Sequence, residues 1–322
     1  MKFSGIVLAC VLAAVSCAST AIAQTYPSKP IRIVVPFPPG GGGDVLMRPL
    51  SRKLTELLGQ PILVDNRAGS NGNIGADHVA KSAPDGYVLL LGNSSLPISA
   101  SLYAHLPFDP IKDLTMISLV SITPSALVAH PSVPVKTTAD LIALAKARPG
   151  KLNYASAGSG STPHLSLEML KTMAGIDMMH IPYNGGGPAV TGVLSGQVDV
   201  LVTNISTILP QVRAGKLNAI GVTSLNRSAV LPNVPTIGES GVPGFEVKTW
   251  YGLMGPAGLP KEVIARLNAA IAAAVNSPDL RDQLVGLGYE PESSTPEALS
   301  TLMRDDIGKW GKVVKSSGAK AD

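Results

Sequence analysis

Ile31-Arg-Ile-Val-Val-Pro-Phe-Pro-Pro-Gly-Gly-Gly-Gly-Asp44 decides how the rest of the chain is read. Five β-favouring residues, Ile31 to Val35, run into a Pro/Gly turn, and Asp44 stands directly before a helical pattern. Strand, loop and helix N-terminus in that order mark the place where open α/β sheets bind ligands. Free backbone N–H groups and the positive end of the helix dipole face the crevice there. A run of glycines lets a ligand approach the backbone with no side chain in the way. One such loop is weak evidence; its recurrence along the chain carries the argument.

Working outward, Leu46, Leu50, Leu54, Leu57 and Leu58 fall on one helical face over residues 44–58, with Arg48, Arg52, Lys53 and Glu56 on the other. Asp44 is the expected N-cap. Pro49 should disturb the ladder or delay the helix start. Pro61 to Val64 reads as a second strand, then Asn66 to Asn73 as a polar loop, a helix to about Ala83, and a third strand from Tyr87 to Leu91. From Ala126 the alternation restarts. Strands are expected at 126–129, 152–155, 178–181, 198–202 and 217–223, with helices at 138–147, 163–174, before Leu194 and before Ala214. Alternating strands and helices predict βαβ units and a parallel sheet. Phe245 to Leu253 reads as extended, and the remainder as helices at 261–275, 278–287 and 296–314. Terminal helices without strands of their own must pack on an existing sheet. The expectation is therefore α/β, with one lobe from residues 24–124 and 248–322 and a second inserted at 125–247. Two hinge crossings, near 118–123 and 246–251, join the lobes around a cleft.

Composition narrows the function. A chain of 322 residues has a length prior of about two domains. Its charge of +4 is small and without a basic run, and aromatics make up 4%, so nucleic acid is not expected as a partner. Met1-Lys2, an apolar stretch from Ile6 to Val15 and Ala21-Ile22-Ala23 form a signal-peptide pattern over residues 1–23, with cleavage after Ala23 and export to the periplasm. The apolar stretch is shorter than the roughly 20 residues of a spanning helix. Lipidation at Cys17 is the alternative. Both cysteines, Cys10 and Cys17, lie in that segment, which removes disulfides, thiol catalysis and cysteine zinc sites from the remainder.

Four Gly/Ser/Asn-rich loops follow expected strands, at 38–44, 68–73, 156–162 and 184–187. They offer many N–H groups and few charges, which suits a carboxylate. Ser94, Ser159, Ser161, Thr162 and Asn204 could bond ligand oxygens or simply cap loops and helices. His164, at a helix start, could reach the ligand, and Arg67 is the cation beside the loops. No residue pattern calls for a metal or a cofactor, so none is expected. The phosphate-loop Lys-Ser/Thr, the dinucleotide fingerprint and the closing Gly of a nucleophile elbow are all missing. An exported hydrolase pairing Ser159 or Ser161 with His164 is the enzyme alternative, and a ligand sensor for a membrane signalling partner is the other.

Further motifs line up in order. They include Tyr26-Pro-Ser-Lys-Pro-Ile-Arg-Ile, Asp44 with Arg48, Arg67-Ala-Gly-Ser-Asn-Gly-Asn-Ile-Gly75, Pro84-Asp-Gly-Tyr87 and Tyr154-Ala-Ser-Ala-Gly-Ser-Gly160. His180-Ile-Pro-Tyr, Gly187-Pro-Ala, Leu194-Ser-Gly-Gln-Val-Asp199 and Leu231-Pro-Asn-Val-Pro-Thr236 follow. Together they resemble the Bug receptors, the solute-binding proteins of tripartite tricarboxylate transporters, over essentially the whole chain after the signal segment. The resemblance implies a two-lobed periplasmic binding protein of the Venus flytrap type II class, each lobe a mainly parallel sheet flanked by helices. It implies a monomer that closes over a small organic acid, without chemistry, and hands it to membrane permease subunits. Carried onto this sequence, the Pro36 to Asp44 loop (Phe37, Pro38, Pro39, Gly40, Gly41, Asp44) and the Ser156 to Thr162 loop (with Ser159, Gly160, Ser161 and Thr162) form the pincer. Asn93, Ser94, Tyr183, Gly187, Asn204 and Thr249 line the rest. The sequence departs from the family pattern at Met47, where a small residue is usual, and at Pro49.

Overall fold

The computed structural model describes residues 26–319; the signal segment and its cleavage point lie outside the described residues. In chain order the elements are β1 (Ile31–Val35), α1 (Gly42–Leu58), β2 (Ile62–Asn66), a 3-10 turn (Ser70–Gly72), α2 (Asn73–Ala80), β3 (Val88–Asn93) and α3 (Ser95–Leu102). Then come β4 (Leu114–Ala129), α4 (Thr138–Ala147), β5 (Asn153–Ser156), α5 (Thr162–Ala174), β6 (Met179–Pro182), α6 (Gly186–Leu194), β7 (Val200–Asn204), α7 (Ile205–Arg213) and β8 (Asn218–Val222). The chain finishes with β9 (Lys248–Pro256), α8 (Lys261–Asn276), α9 (Pro278–Gly286), β10 (Glu290–Pro291) and α10 (Pro296–Ser317).

The helix after the opening strand starts earlier than its apolar spacing suggests. Gly41 is its N-cap and Asp44 its third residue, so the expected cap role of Asp44 is corrected. Asp44 instead reaches back to accept the Gly40 N–H at 3.0 Å, and it pairs with Arg48 at 2.9 Å. A carboxylate in the first turn is also favourable against the dipole. Pro49 neither delays nor ends α1. Leu46, Met47, Leu50 and Leu54 are buried around it, each contributing roughly 1.5–3 kcal/mol, which outweighs the single ladder bond a proline removes. Gly59, in left-handed geometry (φ 71°), closes the helix with its N–H on the Thr55 carbonyl.

Among the described residues the sheet has ten strands, with β2-β1-β3-β9-β4-β7-β5-β6 as its main path. β1 is parallel to β2 and β3, and β5 is parallel to β6 and β7. Between these two parallel groups stand β9 and β4, antiparallel to each other and to their neighbours, so the sheet as a whole is mixed. β4 is the spine. Leu114 to Pro124 pairs with β9, and Ser125 to Ala129 pairs with β7. The ladder slips between Met116 and Ser118 and again between Leu119 and Ser121.

Apolar clusters sit on both sides of that spine. One draws on both ends of the chain, from Ile31 to Tyr289; another gathers Leu127, Tyr154, Leu165 and Val200. Ile98 of α3 and Trp310 of α10 pack into the second of these, whereas Leu299 and Met303 of α10 pack beside Val34 and Leu90. The last helix thus packs against clusters on both sides of the spine.

Candidate functional site

Five helices begin around one small chamber. Its walls include Gly41, Gly42 and Gly43 at the start of α1, Ser161, Thr162 and Pro163 at α5, and Gly186 and Gly187 at α6. Asn204 and Thr207 come from the start of α7, and Asn93 and Ser95 from the start of α3. Phe37, Pro38, Ala157, Thr203, Thr249 and Tyr251 complete it. The chamber measures about 70 Å³, as volume open to the centre of a water-sized sphere. Among the described residues no side-chain cap closes the N-termini of α1, α3, α6 or α7. Their first N–H groups have no partner inside the helix, and the summed dipoles make the space electropositive. The exceptions are local: Asn93 Oδ1 takes the Ser95 N–H at 3.0 Å, and the Ser161 side chain caps α5.

None of these lining residues carries an ionisable charge. Polarity comes from hydroxyls and amides. Tyr251, 3% exposed, accepts a hydrogen bond from Asn204 Nδ2 at 2.6 Å, which leaves its own O–H proton to donate. Burial raises its pKa well above the usual phenol value, with the Asn204 bond opposing, so it stays a neutral donor. Asn204 is held in turn by Ser125 Oγ at 3.2 Å. The Thr162 hydroxyl is buried with no partner among the described residues. Below the floor, Tyr289 donates to the Gly42 carbonyl at 2.6 Å and steadies the start of α1.

An outer chamber of about 350 Å³, on the same measure, continues from the inner one past Phe37, Pro38 and Ala157. Ser159 and Tyr183 line it, together with the turn Gly69–Gly72 and Tyr103.

The remaining residues singled out in the sequence lie off both linings. Pro39 and Gly40 ride on the loop behind Asp44, itself only 2% exposed. Ser94 Oγ accepts the Trp250 N–H at 2.9 Å and ties β9 to α3. Gly160 donates its N–H to His164 Nδ1 at 2.9 Å, and the His164 ring stacks on His180 at 3.9 Å between centroids. His164 is a support beneath the loop. Ser161, by contrast, does line the inner chamber, although its Oγ is engaged in donating to the Gly158 carbonyl at 2.6 Å. Arg67 turns to Asp65 at 2.8 Å, and that bond, with Arg32 behind it, holds the Asp65 carboxyl below its ordinary range.

Sequence reasoning overlooked Gly42, Gly43, Ser95, Ala157, Pro163, Gly186, Thr203, Thr207 and Tyr251. Most sit within three residues of a helix start, so an earlier start for α1 and α6 would have found the glycines. Tyr251 shares a strand face with Thr249 two residues before it, and that period was the available signal.

An α/β fold of this topology, with a cavity between its two parallel strand groups, defines a solute-binding protein of the periplasmic type. Residues 46–319 match the tripartite tricarboxylate transporter family receptor, and the chain belongs to that family. Its members are receptors, not enzymes. Protein BugT of Bordetella pertussis (strain Tohama I) is 40% identical over 311 residues, covering 96% of this chain and 95% of its own. Among solved structures, Rpa4515 of R. palustris with adipate is 35% identical with a TM-score of 0.89, over 92% of this chain and 100% of that one. The periplasmic binding protein BugD is 34% identical with a TM-score of 0.87, over 92% and 100%. MatC of Rhodopseudomonas palustris with bound malate is 34% identical with a TM-score of 0.85, over 90% and 100%.

Proposed function

We propose that this receptor is exported to the periplasm, cleaved after Ala23, captures a small organic acid in the inner chamber, and presents it to the permease subunits of a tripartite tricarboxylate transporter. The observation that carries the ligand class is the convergence of uncapped helix N-termini on a chamber without a lining charge. Partial positive charge fixed in the backbone favours a carboxylate, and it costs no reorganisation when the anion arrives. Adipate and malate in the two related structures support the same class. In this reading Gly42, Gly43, Gly186 and Gly187 supply N–H groups, while Tyr251, Thr162 and Asn204 supply side-chain contacts. Phe37, Pro38, Gly41, Asn93, Ser161 and Thr249 shape the walls. The lobes that close in this reading are 24–124 with 248–322, and 125–247.

The test is a thermal-shift panel on residues 24–322, unfolded and refolded to strip bound ligand. Mono-, di- and tricarboxylates are set against matched amides, alcohols, sugars and amines. A ligand at 100 times its Kd adds about 2.7 kcal/mol of stability. The expected result is that carboxylates alone raise the midpoint. A sugar or amine doing so while every carboxylate fails overturns the assignment.

A further inference from the structure

We propose that Asn71 is a latch that holds the cleft shut without being needed to touch the ligand. It rests on the receptor reading only where ligand kinetics are concerned. Asn71 lies in the 3-10 turn after β2 with φ 53°, next to Ser70 at φ 49°, so two successive non-glycine residues occupy left-handed backbone. Such a conformation persists only where the surroundings over-determine it, and Asn is among the residues that adopt it most readily. Gly69 and Gly72 bracket the turn, and the Gly72 N–H on the Gly69 carbonyl (3.0 Å) closes it.

What the turn achieves is the aim of one amide. Asn71 Nδ2 donates to the Gly160 carbonyl at 3.0 Å and lies 3.4 Å from Ser99 Oγ. The Gly160 acceptor belongs to the other side of the cleft. Gly160 lies in the loop before α5, pinned through its N–H to His164, and Ser99 lies on α3, whose Ile98 and Leu102 join the second core. Turning the amide over would set Oδ1 against the Gly160 carbonyl, so the donor orientation is fixed. Leu102 seats against Gly160, where a Cβ would fall 1.8 Å from its Cδ2, and this brings the Gly160 carbonyl within reach. Asn71 Oδ1, meanwhile, is buried with no protein partner among the described residues. The latch therefore gains a donor bond and loses hydration on the acceptor, which biases closure without locking it. A receptor that must release its cargo needs such a balance.

The sequence from residue 24 on contains no cysteine, so spin labels can be placed at will. Exposed Arg52 and Lys216, one on each side of the cleft, are changed to Cys and their distance distribution is measured in the ligand-free protein by pulsed dipolar spectroscopy. Asn71→Gly keeps the left-handed backbone and removes the amide; Asn71→Asp keeps size and backbone but replaces the donor with a charge facing a carbonyl. A net hydrogen bond corresponds to roughly a threefold to tenfold change in the closed-to-open ratio, so the short-distance population should fall by about that factor in Asn71→Gly and further in Asn71→Asp. Thermal unfolding of the same samples reports folding separately. With the best carboxylate from the panel, the dissociation rate should rise by a similar factor while the association rate stays put. Identical distance distributions in wild type and both variants overturn the latch. If no carboxylate binds any of the three, the receptor reading fails and the ligand-free distances still decide the latch.

Discussion

Gly42→Ala is the substitution that should damage the inner chamber most directly. A Cβ on Gly42 would sit 2.5 Å from both Asn204 Nδ2 and the Tyr251 hydroxyl, against a contact optimum of roughly 3.5 Å. These two atoms are hydrogen-bonded to each other at 2.6 Å, so neither can retreat without breaking that bond. Overpacking of this kind costs about 1–3 kcal/mol, and a buried donor left without its acceptor about 1–3 more, offset by up to about 1 for the better helix former. The net is a loss of about 1–6 kcal/mol, or a Tm fall of about 2–12 °C at roughly 2 °C per kcal/mol in a chain of this size. Since about 1.4 kcal/mol is tenfold in affinity, displacing Tyr251 and Asn204 from the wall should weaken carboxylate binding by at least tenfold. Differential scanning calorimetry and isothermal titration, with Gly43→Ala as the paired control, measure both. At Gly43 the nearest atoms would lie at 3.4 Å, ordinary contact, so that variant should keep its stability within roughly 1 kcal/mol. A Gly42→Ala protein with wild-type midpoint and affinity would refute the close-packed wall described above.

Two further outcomes separate ligand space from fold. At Gly187 a Cβ would meet nothing within 4 Å, and the residue lies in the first turn of α6, so Gly187→Ala should raise Tm slightly, by about 0.4–1 kcal/mol of stability, while lowering carboxylate affinity by intruding on the chamber; unchanged affinity would remove Gly187 from the site. Asp306 accepts the Trp250 indole N–H at 2.7 Å, yet its burial, opposed by that bond and by Lys309, raises its carboxyl above the ordinary value. The folded state then holds the proton more tightly than the unfolded one, so this contribution is complete below about pH 4 and is lost as pH rises through the folded value. Asp306→Asn, which keeps an acceptor for Trp250, should flatten that part of the stability curve and gain on wild type between pH 4 and pH 7 as followed by thermal melts; a difference independent of pH would refute the assignment.

The alternation of strands and helices was legible because each element carries its own periodicity. The Ile31–Val35 run and the leucine row of α1 are local facts, and so is the helix expected at 138–147. What was not legible depends on partners far away in the chain. The first half of β4 is buried by β9 from more than a hundred residues later, and α3, with Pro97 in its first turn and no clear polar face, has no helical signature of its own. The site divided the same way. Loops rich in glycine could be named, but which of their residues face the chamber depends on where a helix begins. A shift of three residues in the N-cap of α1, from Asp44 to Gly41, brings Gly42 and Gly43 to the chamber wall and leaves Gly40 and Asp44 off it.

That dependence bears on selectivity. With no charged side chain on the inner wall, the chamber offers fixed N–H dipoles and hydroxyls rather than a formal charge. Asp44 is screened from it by its pairing with Arg48, and Arg67 is committed to Asp65. An α-ammonium group in the inner chamber would meet the positive ends of helices and no carboxylate, which costs binding energy. A carboxylate on the same carbon frame meets dipoles already oriented towards it. We predict that titration calorimetry ranks acids whose remaining substituents are neutral or anionic above amino acids of equal size; an amino acid that binds as tightly as the acid on the same frame would refute this reading of the inner wall.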